Sequence, residues 1–188
     1  MKSSFKTLLS SFVLFAVVLS ANAQKSMTLD ATKSTFSVSG TSTMHDWTMK
    51  SALGSGTGNL TVTNSKLEKI TSLSISLNAE SVKSEKTSMD KVAYKTLKTD
   101  KFKTIKYVLK SATKANETTW NLVGTYTIAG VSKEVKTQVK ATVAGGVVTL
   151  EGSNKITFTQ FGMKSPTAML GTIKTGEDLT LKFNIKLK

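Results

Sequence analysis

The segment DLTLKFNIKLK, residues 178–188, alternates apolar and polar side chains without interruption. Leu179, Leu181, Phe183, Ile185 and Leu187 fall on one side of an extended chain; Thr180, Lys182, Asn184, Lys186 and Lys188 fall on the other. A period of two marks a strand with one buried and one wet face. A membrane barrel strand would show its apolar band to lipid between aromatic girdles and keep its polar groups in the lumen. Here the polar face carries lysine to its end, aromatics are only 7% of the chain, and the apolar side chains are bulky enough to make an interior. The segment predicts a soluble barrel or strongly curved sheet, apolar inside.

The same texture runs upstream. Phe36 and Val38 alternate with Ser and Thr, as do Leu60 with Val62, and Leu73, Ile75 and Leu77 within SLSISLN. TIKYVLK, TWNLVGTYTIAG, EVKTQVKATVAGGVVTLEG and NKITFTQFGM are further β-branched runs, punctuated by Gly, Ser, Asn and Thr, with a single proline, Pro166. About eight strands are predicted, and Ala144-Gly145-Gly146 reads as a hairpin turn. One segment breaks the period. In TSMDKVAYKTLKTDKF, Met89, Val92, Ala93 and Leu97 recur at helical spacing, and Thr87 with Asp90 resembles a capping box. A short α-helix over Ser88–Lys98 is therefore predicted between strands. The fold class is all-β and antiparallel, with one inserted helix.

The first 23 residues read as a secretory signal. Lys2 and Lys6 precede a mostly apolar run, Leu8–Leu19, and Ala21-Asn22-Ala23 forms an A-x-A cleavage site. A periplasmic or secreted destination is expected, with a single domain over residues 24–188. No cysteine follows, so neither a disulfide nor a thiolate ligand is available. Removing the two signal lysines leaves 24 basic residues against 12 acids, a formal charge of +12. All of them are lysine. A nucleic-acid reader would be expected to use the bidentate fork of arginine, so nucleic acid is not an expected partner. The even spread of lysine suits a solvated surface, with an anionic membrane surface or acidic polymer as its functional counterpart.

His45 is the one histidine of the chain, next to Asp46 and close to Trp47. On a strand, neighbouring side chains point to opposite faces, which argues against a His45-Asp46 dyad. One histidine without cysteine does not furnish a zinc set, and neither a G-x-S-x-G elbow nor a phosphate-binding loop is present. Glu177-Asp178 after Gly176 reads as a turn. No catalytic residue, metal or cofactor is assigned.

The aromatic and methionine residues carry more information. Trp47, Phe102, Tyr107, Trp120, Tyr126, Phe158, Phe161, Met163 and Met169 each suit an ordinary core. Glycines on the inward faces, in Phe36-Val38-Gly40 and Leu122-Gly124-Tyr126, leave room beside them. A barrel of about eight strands either fills with side chains or holds one small ligand, and periodicity leaves both outcomes open.

The run GTYTIAGVSKEVK, residues 124–136, resembles the GxLTIxGVTKxV signature of the YceI-like family. LKTDKFKTIKYVLK before it, and FTQFGMKSP and TGEDLTLKFNIKL after it, are similar to further segments of that family in the same order. The resemblance implies an exported, lipocalin-like antiparallel barrel, without catalytic machinery, whose interior in some members holds a polyisoprenoid or another long-chain lipid. Matching positions are Leu97, Asp100, Phe102, Ile105 and Tyr107; Gly130, Val131 and Lys133; and Phe161, Gly162 and Met163. The glycines and Lys133 suit turns, while the aromatics and Met163 suit a cavity wall. Lys101-Phe102 and Lys103-Thr104 depart from the family's paired aromatics and Tyr-Pro, and TFSVSGTSTMHDWTMK departs from its usual opening.

Together these readings nominate Phe36, Val38, His45, Trp47, Phe102, Tyr107, Tyr126, Phe158, Phe161, Met163 and Met169 as ligand-facing, with His45 and Trp47 near one mouth. The partner expected first is a long-chain lipid or isoprenoid, with peripheral contact to an anionic membrane and a homodimer as further partners. The alternative is a solidly packed barrel that docks through its lysine surface on an acidic partner.

Overall fold

The computed structural model describes residues 24–188, so the signal sequence and its cleavage site lie outside the described residues. Eleven strands and one α-helix follow in order: β1 (Gln24–Thr28), β2 (Thr35–Ser42), β3 (Trp47–Ser51), β4 (Gly54–Thr63), β5 (Lys66–Asn78), α1 (Thr87–Leu97), β6 (Thr104–Lys114), β7 (Thr119–Ile128), β8 (Val131–Ala144), β9 (Val147–Thr157), β10 (Thr167–Ala168) and β11 (Ile173–Leu187). Ten of the strands form one antiparallel sheet in the order β1-β4-β5-β6-β7-β8-β9-β11-β2-β3, with β10 paired to β11 alone. The count exceeds eight because the opening run folds back on itself as the β2-β3 hairpin and because the first residues add β1.

The sheet curls into a barrel, and short segments join its ends. β1 pairs with β4, and the residues just past β1 then turn to β11. The Thr28 N–H donates to the Lys188 carbonyl (2.8 Å), the Lys188 N–H returns the bond (3.0 Å), and Leu29 bonds back to Gly56 (2.9 Å). On the other side, the Lys50 N–H of β3 donates to the Lys83 carbonyl (2.8 Å) and the Lys83 N–H to the Lys50 carbonyl (2.9 Å). These bonds tie one residue of each end strand, Thr28 of β1 and Lys50 of β3, to a further segment.

Tight turns set the registers. Gly145 and Gly146 have φ of 55° and 76°, the two left-handed residues that a two-residue hairpin with native twist requires. Ala129-Gly130 makes the same turn between β7 and β8. Helix α1 starts at Thr87 and ends before Lys98, which adopts φ 54°. Thr87 is no cap. Asp90 instead reaches back to Ser84, accepting from its N–H and its hydroxyl at 2.7 Å each, so the carboxylate ties the incoming loop to the first helical turn.

β11 behaves as its alternation dictates. Leu179, Ile185 and Leu187 are buried, Lys182 is exposed, and the strand sits between β9 and β2. Around its last residues the closed end of the barrel is solid: Met27, Leu60, Val139, Val148, Leu150 and Leu187 are almost wholly buried. Each such side chain contributes roughly 1.5–3 kcal/mol. A second cluster of Ile128, Ile156, Phe158, Phe161, Met163 and Leu179 packs at the opposite end, beside the β7-β8 turn.

Candidate functional site

Between the two clusters the barrel is hollow. A cavity of about 660 Å³ opens at the end where the β2-β3 turn, α1 and β10 meet. Its wall is made by inward side chains of the strands, among them Leu73 and Ile75 of β5, Leu122 of β7, and Leu179, Leu181, Phe183 and Ile185 of β11. The apolar face of β11 that organises the sequence therefore faces the cavity.

Helix α1 forms the roof. Met89, Val92, Ala93 and Leu97 line the cavity, and each is only half-buried. The one fully buried residue of the helix is Asp90. The helix is held from its polar side instead: the Tyr94 hydroxyl donates to the Glu80 carbonyl (2.9 Å), and the Thr99 hydroxyl just past its end donates to the Glu80 carboxylate (2.8 Å). Its apolar stripe thus covers the hollow rather than a packed layer. The spacing of that stripe was legible in the sequence, but its role was not. A lone apolar helix face inserted among strands must cover something, and that signal could have found it.

Nine of the eleven nominated residues line this cavity: Phe36, Val38, His45, Trp47, Tyr107, Tyr126, Phe158, Met163 and Met169. Two do not. Phe102 lies on the β7-β8 turn, where its ring occupies the space that a side chain at Gly130 would need. Phe161 is fully buried in the second cluster, because the turn Thr159–Phe161 and the left-handed Gly162 direct it toward Ile128 and Ala129. Both are packing residues of the open end.

The inward glycines do not leave empty room either. A Cβ at Gly40 would run into the Trp47 indole, and one at Gly124 into the Tyr107 ring. The aromatic rings fill those gaps, and the hollow lies above them.

Polar groups are few and mostly satisfied. On the cavity floor the rings of Tyr107 and Tyr126 lie 5.0 Å apart, tilted by 54°. The Tyr126 hydroxyl donates to Asn154 Oδ1 (3.2 Å), Thr137 donates to the same oxygen (2.7 Å), and the Asn154 amide donates to the Lys136 carbonyl (3.0 Å). The buried Tyr107 hydroxyl has no hydrogen-bond partner among the described residues. Burial pushes its phenol up to about 12 and raises that of Tyr126 as well, so both are neutral donors at physiological pH.

At the mouth, His45 and Asp46 lie in the turn between β2 and β3, not on a strand. The His45 ring donates through Nδ1 to the backbone carbonyl of Asp46 (2.7 Å), not to its carboxylate. Trp47 anchors the turn, its indole N–H donating to the Thr41 carbonyl (3.1 Å). Among the described residues no three His, Cys, Asp or Glu side chains converge on a metal-sized point.

Structural comparison finds the same fold in several solved proteins. BcnA of Burkholderia cenocepacia matches with a TM-score of 0.70 at 17% identity, covering 84% of this chain and 98% of its own. A polyisoprenoid binding domain from Saccharophagus degradans, implicated in plant cell wall breakdown, matches at 0.69 and 12% identity, covering 88% and 99%. The YceI protein of Campylobacter jejuni matches at 0.58 and 20% identity, covering 69% and 78%. No curated protein sequence matches at a significant level. The profile of the YceI-like domain, however, matches residues 27–187, nearly everything from β1 to the end of β11, and the chain accordingly belongs to the YceI-like family.

Proposed function

We propose that this protein is an exported, non-enzymatic carrier for a long apolar chain, of the class of a polyisoprenoid, an isoprenoid quinone or a fatty-acyl lipid. The observation that carries this reading is the apolar cavity roofed by α1. Met89, Val92 and Leu97 of α1 and Leu181 and Phe183 of β11 line it and are each only half-buried, and an apolar occupant would complete their burial. At roughly 0.8 kcal/mol per buried methylene, chain length dominates affinity. The volume of about 660 Å³ takes on the order of 20 non-hydrogen atoms, at the roughly 30 Å³ that a water occupies in its liquid.

Several observations support the finer points. The signal-like N-terminus supports export to the periplasm or beyond. Binding rather than catalysis is supported by the cavity wall, which is overwhelmingly apolar. The Saccharophagus neighbour is named for a polyisoprenoid ligand, which fits the chemistry of these walls. The alternative of a solidly packed barrel acting only through its lysines fits the hollow interior less well.

The test is native mass spectrometry of the protein purified from its own host without detergent, followed by solvent extraction. A stoichiometric extra mass released as a long-chain lipid is expected. A protein that remains apo after incubation with polyprenol, quinone and fatty acid would overturn the carrier reading.

A further inference from the structure

Three of the exposed large apolar side chains of the described residues gather at the cavity mouth. Leu170 is completely exposed, Met169 is 73% exposed and Met44 is 66% exposed. Met44 lies in the β2-β3 turn and Met169 and Leu170 in the β10-β11 turn, and hydrogen bonds join the two turns. The Thr43 N–H donates to the Lys174 carbonyl (2.9 Å) and the Lys174 N–H to the Thr43 hydroxyl (3.1 Å). Met44 and Met169 also line the cavity, so the apolar tip and the cavity wall are continuous. The backbone holds the tip outward in an unusual way. Met169 and Leu170 are consecutive non-glycine residues with φ of 50° and 55°, a region bulky side chains rarely adopt.

The surroundings of the tip are basic. Lys83 and Lys86 precede α1, Lys91 lies on it, Lys164 precedes β10 and Lys174 is the second residue of β11; all five are exposed, and none forms an ion pair among the described residues. Of the acids in the same segments, Asp90 is engaged by Ser84, and Glu177 accepts from the Thr159 N–H (2.7 Å), the Thr159 hydroxyl (2.6 Å) and the Ser165 hydroxyl (2.6 Å). Asp46, Glu85 and Asp178 remain in the open.

We infer that Met44, Met169 and Leu170 form a tip that inserts into the surface of an anionic lipid bilayer, with the neighbouring lysines on the headgroups and the cavity mouth facing the acyl region. The inference deepens the carrier reading and rests on it for its purpose: an apolar chain would pass between bilayer and barrel without crossing water. A protruding tip of three side chains is too small for a stable protein interface, which needs about 1,000 Å² with a matching surface. It suits a bilayer, where apolar burial and attraction of lysine to anionic lipid act together.

The experiment is vesicle flotation of the purified protein at physiological salt, with phosphatidylcholine vesicles either pure or mixed with phosphatidylglycerol. Binding to the mixed vesicles is expected, with about a tenfold loss in the triple variant M44S/M169S/L170S. A comparable loss is expected in K86E/K164E/K174E, while L53S, which changes a residue 70% exposed but away from the cavity, binds as the parent. No binding to mixed vesicles, or equal binding by the triple variant, would overturn the inference. So would a dimer in sedimentation that the triple variant dissolves without vesicle binding. Because flotation requires no ligand, a protein that retains lipid but ignores vesicles fails this inference alone, whereas one that docks but never holds lipid fails the carrier reading alone.

Discussion

The ring of Tyr107 on β6 lies directly over Gly124 on β7, filling the volume that any larger residue there would need. The glycine is inward and buried, so its missing side chain makes room for a neighbour's ring and not for a ligand. Gly124→Ala should push Tyr107 toward the hollow. The expected cost is about 1–3 kcal/mol in urea unfolding, the range for overpacking. A variant as stable as the parent would show that the ring has another place to go.

Tyr107 carries a second consequence. Its hydroxyl is buried without a partner, so replacing it with apolar volume removes an unmet desolvation cost. Tyr107→Phe should leave stability unchanged or raise it by about 1 kcal/mol. A clear loss in equilibrium unfolding would place a hydrogen bond on that oxygen.

The same tyrosine predicts alkaline behaviour. Its phenol titrates at about 12 in the folded protein, because burial disfavours the phenolate, against an ordinary value near 10. The folded state thus holds the proton more tightly than the unfolded chain. Its contribution is complete below pH 10 and is lost as pH rises toward 12. Stability of the parent should fall over this window, and Tyr107→Phe should fall less; parallel curves would reject the assignment.

At the closed end, Asp30 accepts from Lys188 Nζ at 2.8 Å and from the Thr32 hydroxyl at 2.8 Å. These bonds lower its carboxyl to about 2. A depressed carboxyl contributes above its unfolded value near 4 and loses that contribution as pH falls through 2. Asp30→Asn should therefore be less stable than the parent at neutral pH, with the difference vanishing toward pH 2. Thermal melts at a series of pH values would show it, and a difference that persists at pH 2 would exclude the ion pair as its origin.

The cavity itself predicts a binding series. Affinity for saturated fatty alcohols should rise with chain length and level off near 20 carbons, where the volume of about 660 Å³ is filled, and it should change little with salt. Leu181→Gln, midway along the wall, should weaken the longest chains by about tenfold, since a buried amide without partners costs about 1–3 kcal/mol. Affinity that ignores length and collapses in salt would point to the lysine surface instead.

Much of this architecture could be read from local patterns. The alternation of β11, the glycine pair at 145–146 and the helical spacing of Met89, Val92 and Leu97 are decided within a few residues, because backbone geometry alone sets their periods and turns. The inward faces of β2, β6 and β7 followed from the same rule, which is why Val38, Tyr107 and Tyr126 were nominated and line the cavity. Phe102 and Phe161 escaped it because they lie in turns, where no period says which way a ring points. Gly40 and Gly124 were misread for a related reason: a missing side chain shows in the sequence, but the ring that occupies its space comes from a neighbouring strand or from the far side of a hairpin. Whether the barrel is hollow was likewise undecidable from periodicity, since a filled and an empty interior share one alternation. The helix α1 is held by the hydrogen bonds of Tyr94, Thr99 and Asp90, with its apolar face lining the hollow. Only long-range pairing, which closes the sheet through Thr28 and Lys188 and sets the helix above it, could decide that.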